Sequence, residues 1–124
     1  MIEKRIIKQQ LDGKKNLLPH KYLQYLDVHI EKVVSREVEE FKEINEIAED
    51  LGVSHQYLSE VIQKYLGQHP CHFYDLKIIE KAKELLRNTQ YSVAEVARIL
   101  TYDPSNFSKF FKKFVGETPG QFRK

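Results

Sequence analysis

A single cysteine, Cys71, stands in the 124 residues, so the chain can form no internal disulfide. Glycine and proline are sparse, five and four respectively. No stretch alternates apolar and polar residues long enough for a strand to compete with the helical spacing seen throughout. No apolar run approaches the roughly 18 to 20 residues needed to cross a bilayer, which removes the membrane-spanning reading. The opening Met1-Ile2-Glu3-Lys4-Arg5 has no apolar stretch of the kind a secretory signal carries. Together with the lone cysteine, this leads us to expect a reducing, cytoplasmic compartment.

Catalytic patterns are missing as well. There is no glycine-rich phosphate loop, no fixed pair of carboxylates and no Ser/His/Asp constellation, so neither enzymatic activity nor a cofactor is expected. His69, Cys71 and His72 crowd around Pro70, but they lack zinc spacing and a fourth ligand, so no metal is expected. Their expected place is a loop, with Cys71 half buried as a small apolar residue.

A chain of 14.7 kDa allows one compact domain, or two small units sharing a core. Twenty Lys and Arg against eighteen Asp and Glu leave a net charge of +2, which permits a nucleic-acid partner without requiring one. The distribution says more. Residues 92–124 carry six basic and three acidic side chains, whereas 1–40 carry eight and seven, and 41–91 carry six and eight. The excess is Lys109, Lys112, Lys113, Arg123 and Lys124, interleaved with Phe107, Phe110, Phe111, Phe114 and Phe122. Phenylalanines at i, i+3, i+4 and i+7 predict a buried helical face, and the lysines fall on the other side of it.

An internal repeat organises the chain. Shifted by 49 residues without a gap, residues 44–73 fall on 93–122. Glu46 meets Glu95, Ala48 meets Ala97, Leu51 meets Leu100, Ser59 meets Ser108, Gly67 meets Gly116 and Pro70 meets Pro119. Each copy reads as two helices joined by a tight turn. In the first, Gly52 supplies a positive φ, Ser54 caps the restarting helix and Gly67 ends it. In the second, Ser92 and Glu95 make a capping box, Asp103 is the cap of the next helix and Pro104 takes its first position. Small Ala48 and Ala97 opposite large Leu58 and Phe107 allow a close, steep crossing, which is helix-turn-helix geometry.

The predicted fold is all-α, with two helix-turn-helix subdomains joined by a connector helix. Residues 1–18 form an N-terminal tail, whose first part is either free or a dimer contact. Residues 19–74 hold an N-terminal helix and the first unit. The connector is 75–88, with a stripe of Leu76, Ile79, Ala82, Leu85 and Leu86, and 89–124 is the second unit. The N-terminal helix is expected from about His20 to Val34, packing Leu23, Leu26, Ile30 and Val33 on the first unit. Residues 35–43 either continue it or form a loop.

Two such units ending in Phe111-Lys112-Lys113-Phe114-Val115-Gly116-Glu117-Thr118-Pro119-Gly120-Gln121-Phe122-Arg123, after Ile47-Ala48-Glu49-Asp50-Leu51-Gly52-Val53-Ser54 and Tyr57-Leu58, resemble the arabinose-regulator (AraC/XylS) family of bacterial transcription factors. The resemblance covers about residues 33–124. It implies sequence-specific binding to double-stranded promoter DNA, with the two second helices entering successive major-groove segments. It also implies RNA polymerase as a partner, with activation the expected direction. Forty N-terminal residues are too few for the family's usual sensor barrel, so no small-molecule effector is expected within this chain. The chain is either a small stand-alone regulator or the C-terminal piece of a longer one.

Carried over position by position, the base-reading candidates are Gln56, Ser59 and Glu60 in the first unit, on the face opposite Tyr57, Leu58, Val61 and Ile62. In the second unit they are Ser105, Ser108 and Lys109, with Asn106 flanking. Gln suits adenine, Glu accepts from cytosine N4, and Lys reaches guanine O6 and N7. Phosphate contacts are expected from Lys64, Lys112, Lys113 and Arg123, and from backbone N–H groups near Ser54 and Asp103.

This chain departs from the family pattern at three places. Glu60 stands where a basic residue is usual. Leu100-Thr101-Tyr102-Asp103 loses a turn glycine, so a slightly re-aimed second reading helix is expected. Ile78 stands where an arginine is usual, with Lys77 as a substitute. A fourteen-residue connector of about 21 Å falls short of one DNA turn, which predicts a bent site. The rival reading is a helical protein-interaction module that contacts RNA polymerase or another regulator and binds DNA weakly. Glu43, Glu46, Glu49 and Asp50, opposed only by Lys42, motivate it.

Overall fold

The computed structural model describes residues 17–124; of the tail expected over residues 1–18, residues 1–16 lie outside them, and Leu17 and Leu18 are helical. The described residues form α1 (Leu17–Val34), α2 (Ile44–Asp50), α3 (His55–Leu66), α4 (Pro70–Asn88), α5 (Val93–Ile99), α6 (Pro104–Val115) and α7 (Pro119–Arg123), with no strand among them. They divide into two compact units. One joins residues 17–28 to Lys42–Tyr74, and the other joins His29–Phe41 to Asp75–Lys124.

Helix α1 begins three residues before the expected His20, because Pro19 sits in the first turn, where a missing N–H leaves no bond unmade. Its inward stripe is Leu18, Tyr22, Leu26, Ile30 and Val33, with His29 also buried and Leu23 only half buried. Residues up to Val28 belong with the first unit and those from His29 with the second, whereas the sequence assigned the whole helix to the first. Eighteen residues make a rod of about 27 Å, longer than a short helical hairpin can cover. Residues 35–43 form a loop. Arg36 takes φ +69°, while its N–H bonds Val33 O at 3.1 Å and Glu37 N–H bonds Lys32 O at 2.9 Å, which closes the helix end.

In the first unit Ile44, Ile47 and Ala48 of α2 and Leu58, Val61 and Ile62 of α3 are buried. The Tyr22 hydroxyl donates to Pro70 O at 2.8 Å, and the Tyr74 hydroxyl donates to Lys42 O at 2.9 Å. Each ties a loop or helix start to a buried aromatic. Asp50 accepts from both Lys42 Nζ, at 2.7 Å, and the Tyr25 hydroxyl, so part of the acidic cluster on α2 is neutralised where it sits.

The second unit centres on Ile79, Ala82, Leu86, Val96, Ala97, Leu100, Phe107 and Phe111. Burying each large side chain contributes roughly 1.5–3 kcal/mol, so the two fully buried phenylalanines are its main anchors. Phe110, Phe114 and Phe122 pack on this cluster half buried. The aromatic stripe expected on α6 is therefore its core face.

Helix α4 begins at Pro70, five residues before the expected start. Proline is favoured at a first helical position. His69 Nδ1 accepts from Cys71 N–H at 3.0 Å and so caps the helix start. Two expectations change as a result. His69, Cys71 and His72 mark a helix start instead of a loop, and Cys71 is exposed, since the first turn projects it outward. Of the connector stripe, Leu76 is exposed, while Tyr74 and Ile78 are buried. Ile78, standing at the family's arginine position, is thus a core residue, and the inward face is Tyr74, Ile78, Ile79, Ala82 and Leu86.

Candidate nucleic-acid interface

Both helix-turn-helix units close their first helix in the same way. In the first unit Gly52 N–H bonds Glu49 O at 2.9 Å and Val53 N–H bonds Ala48 O at 3.0 Å. In the second, Thr101 N–H bonds Arg98 O at 2.9 Å and Tyr102 N–H bonds Ala97 O at 2.8 Å. This paired pattern requires a left-handed residue at its centre, which Gly52 supplies at φ +79° and Thr101 at φ +62°. A β-branched residue there costs roughly 1–2 kcal/mol. The lost glycine has therefore not altered the turn: its hydrogen bonds match those of the first unit, and the strain falls on Thr101.

Beyond each turn a capped helix starts. Ser54 Oγ accepts from Tyr57 N–H at 3.0 Å. Asp103 Oδ2 accepts from Ser105 N–H at 3.1 Å and Asn106 N–H at 3.3 Å. The N–H groups expected to meet a phosphate near Asp103 are thus already engaged by a carboxylate. Each helix ends at a left-handed glycine, Gly67 at φ +82° and Gly116 at φ +91°. Helix α5 opens with the capping box of Ser92 and Glu95. The backbone N–H of Ser92, hydrogen-bonded to the Glu95 carboxylate, holds that group below its usual range.

The outward faces of α3 and α6 correspond position by position across the 49-residue shift. Gln56 and Ser105, Tyr57 and Asn106, Glu60 and Lys109, Gln63 and Lys112, and Lys64 and Lys113 are exposed in both members of each pair. Ser59 and Ser108 are half buried in both. The candidates of each unit are therefore brought onto one outward surface of one helix. Their chemistry differs. Helix α3 presents Glu60 against Lys64, with Gln56 Nε2 at 3.5 Å from Glu60, whereas α6 presents Lys109, Lys112 and Lys113 with no acidic residue among them. Lys64 and Lys113 also lie over the Tyr65 and Phe114 rings, 5.2 and 5.8 Å from the centroids.

Two placements differ from expectation. Tyr57, expected on the buried side with Leu58, is 47% exposed. It lies one step round the helix from Leu58, in the same outward row as Gln56 and Glu60. Its partner Asn106 under the repeat was the available signal, since a polar residue at that register marks an outward position. Arg123, expected on a phosphate, is engaged inside the second unit: its Nε donates to Leu86 O at 3.0 Å and its Nη2 lies 3.5 Å from Thr89 O. A guanidinium at the end of α4 satisfies carbonyls that have no helical partner.

Comparison with known proteins agrees with this architecture. A family model described as a helix-turn-helix domain matches residues 47–124. The C-terminal domain of AraT, a response regulator from Geobacillus stearothermophilus, superposes with a TM-score of 0.73 at 33% identity, covering 86% of this chain and 83% of that one. A transcriptional regulator from Chromobacterium violaceum, described as AraC-type and DNA-binding, shares the fold with a TM-score of 0.64 at 24% identity, covering 81% of this chain and 90% of that one. The Msm operon regulatory protein of Streptococcus mutans is 27% identical over 96 residues, 77% of this chain and 34% of that protein. The chain spans about a third or less of the length of such curated relatives. With the repeat, the two matching turns and the family match over most of its length, the chain belongs to the arabinose-regulator (AraC/XylS) family of helix-turn-helix regulators.

Proposed function

We propose that this chain is a sequence-specific DNA-binding regulator of transcription, with α3 and α6 as the two helices that enter the major groove. The observation that carries the proposal is the matched outward surface of α3 and α6, set behind turns with the same hydrogen bonds. Buried on one side and polar on the other, each helix has the form that groove entry needs. Gln56, Ser59 and Glu60 are the base readers of the first unit, and Ser105, Asn106, Ser108 and Lys109 those of the second. Lys64, Lys112 and Lys113 meet phosphates, while Arg123 leaves that set because Leu86 and Thr89 hold it.

Regulation of transcription is supported by relatives named as operon and transcriptional regulators. RNA polymerase is the protein partner this role brings with it, and a bacterial cytoplasm, at the nucleoid, is the place for it. Among the described residues no helix is long and apolar enough to cross a membrane. At nineteen residues α4 is about 28 Å long instead of the roughly 21 Å expected for 75–88. A rod of that length leaves less of the roughly 34 Å between half-sites to be made up by bending the DNA.

A second reading, a protein-interaction module that binds DNA weakly, draws on the uncharged balance of Glu60 and Lys64 on α3. Salt separates the two. Phosphate binding falls with salt at a slope of about −0.9 per contact, so replacing Lys112 and Lys113 with alanine reduces the slope by about 2. A slope near zero in the unmodified protein favours the interaction module.

A further inference from the structure

The second unit contains a cleft of about 400 Å³ that the DNA-reading surface does not use. It opens where α1 and α5 end. Val33, Val38 and Ile99 make its apolar part, and Arg36, Arg98, Glu39 and Thr101 complete the lining. Val33 is buried, Val38 and Ile99 are half buried, and the four polar residues are exposed.

Two observations set this cleft apart. First, among the described residues neither the Arg36 nor the Arg98 guanidinium makes a hydrogen bond or an ion pair, and Arg98 acts on Glu95 only at longer range. Among the unit's other cations, Lys81 is paired with Glu84 and Glu31, Lys83 with Glu80, and Arg123 is held by carbonyls, while the unpaired Lys109, Lys112 and Lys113 stand on the outward face of α6 and do not line the cleft. Second, among the described residues the positive-φ residues other than glycine are Arg36 and Thr101, and both line this cleft. At three other helix ends the chain uses glycine, at Gly52, Gly67 and Gly116. Here it keeps side chains in a backbone conformation that glycine adopts freely. Strain retained at a surface cleft is an outlier of the kind that functional sites carry.

We propose that this cleft docks an acidic segment of another protein, with a carboxylate forked between Arg36 and Arg98 and a neighbouring apolar side chain on Val33, Val38 and Ile99. The lining holds two guanidiniums and one carboxylate, Glu39, a balance that favours an acidic occupant, and planar guanidinium suits bidentate carboxylate binding. At the two helix ends the Lys32, Val33, Ala97 and Arg98 carbonyls accept from backbone N–H groups, and the two guanidiniums offset the negative partial charge that remains there. An open cleft with four exposed lining residues cannot enclose a small molecule, whereas a side chain presented by a protein surface needs no enclosure. The first sixteen residues of this chain carry five basic and two acidic side chains, the wrong sign to fill the cleft.

The test is a titration of the isotope-labelled 124-residue chain with short synthetic peptides of alternating acidic and apolar residues, followed through the Arg36 and Arg98 Nε–H and the Thr101 amide signals. A peptide with lysine replacing every acidic residue is the control. The acidic peptide should shift these three signals saturably, and the lysine peptide should not. Arg36→Gly should weaken binding at least about tenfold by removing one charge-assisted fork while relieving the left-handed strain, so its melting temperature should rise. Arg98→Gln should weaken binding without unfolding the chain. The proposal fails if shifts spread over Lys109, Lys112 and Lys113 instead, or if neither peptide binds. It also fails if acetate alone reproduces the shifts, which leaves a simple anion site, or if the chain self-associates through this cleft, which makes a second copy the occupant.

Discussion

At the scale of single residues, Lys109 and Arg123 are two cations close in sequence with different surroundings. Lys109 is exposed on the outward face of α6, while Arg123 is part-buried against the end of α4. Lys109→Ala should lower affinity most at one base pair of the second half-site, by roughly 1–3 kcal/mol if it reads guanine, with thermal stability unchanged. Arg123→Ala should do the reverse, lowering the melting temperature with little change in base preference. Quantitative binding to a panel of single-base variants, paired with thermal denaturation, checks both. Equal weakening on every sequence after Lys109→Ala makes that residue a phosphate contact. Thr101 carries a separate expectation. Thr101→Gly removes the left-handed penalty of roughly 1–2 kcal/mol and adds about 0.5–1 kcal/mol of glycine entropy. The net gain should raise the melting temperature by about 3 °C. A lower value than wild type contradicts the strain assigned to that turn.

At the scale of elements, the second-unit turn is also where pH acts. Tyr102 is stacked on Phe110, with centroids 5.2 Å apart and planes at 14°, and burial first, then the Asp75 charge, push its hydroxyl up from 10.0 to about 12. A raised value means that the folded chain holds the phenolic proton more tightly than the unfolded one. The stabilisation is therefore complete below pH 10 and is lost as pH rises through about 12. Tyr102→Phe should match wild type at pH 8 and exceed it between pH 10 and 12 in denaturant titrations, and identical alkaline behaviour contradicts the burial assigned here. Helix caps, by contrast, were legible in advance. Ser54, Ser92, Glu95, Asp103 and Pro104 act as their residue types predict, because a cap depends on a few neighbouring atoms. The start of α4 was not legible, since Pro70 reads equally as a break or a first helical residue. Only the His69 ring accepting from Cys71 N–H decides between these.

At the scale of the whole chain, the 49-residue repeat made the fold readable, because two copies of one pattern constrain each other where a single copy is ambiguous. It indicated which outward positions to compare, and the exposure of α3 and α6 matches at each pair compared. What it did not give were contacts made through space: the tie of Arg123 to Leu86 and Thr89, the burial of Ile78 over Leu76, and the pairing of Asp50 with Lys42 and Tyr25. These depend on how helices meet, which periodicity along one helix does not specify. Under the proposed function both units read DNA. Selection of bound sequences from a random duplex pool with the purified chain, at two salt concentrations, tests it most directly. The expected result is a bipartite motif with half-sites about one helical turn apart, one half altered by Glu60→Ala and the other by Lys109→Ala. A single half-site insensitive to Glu60→Ala, or no enrichment at either salt concentration, contradicts it.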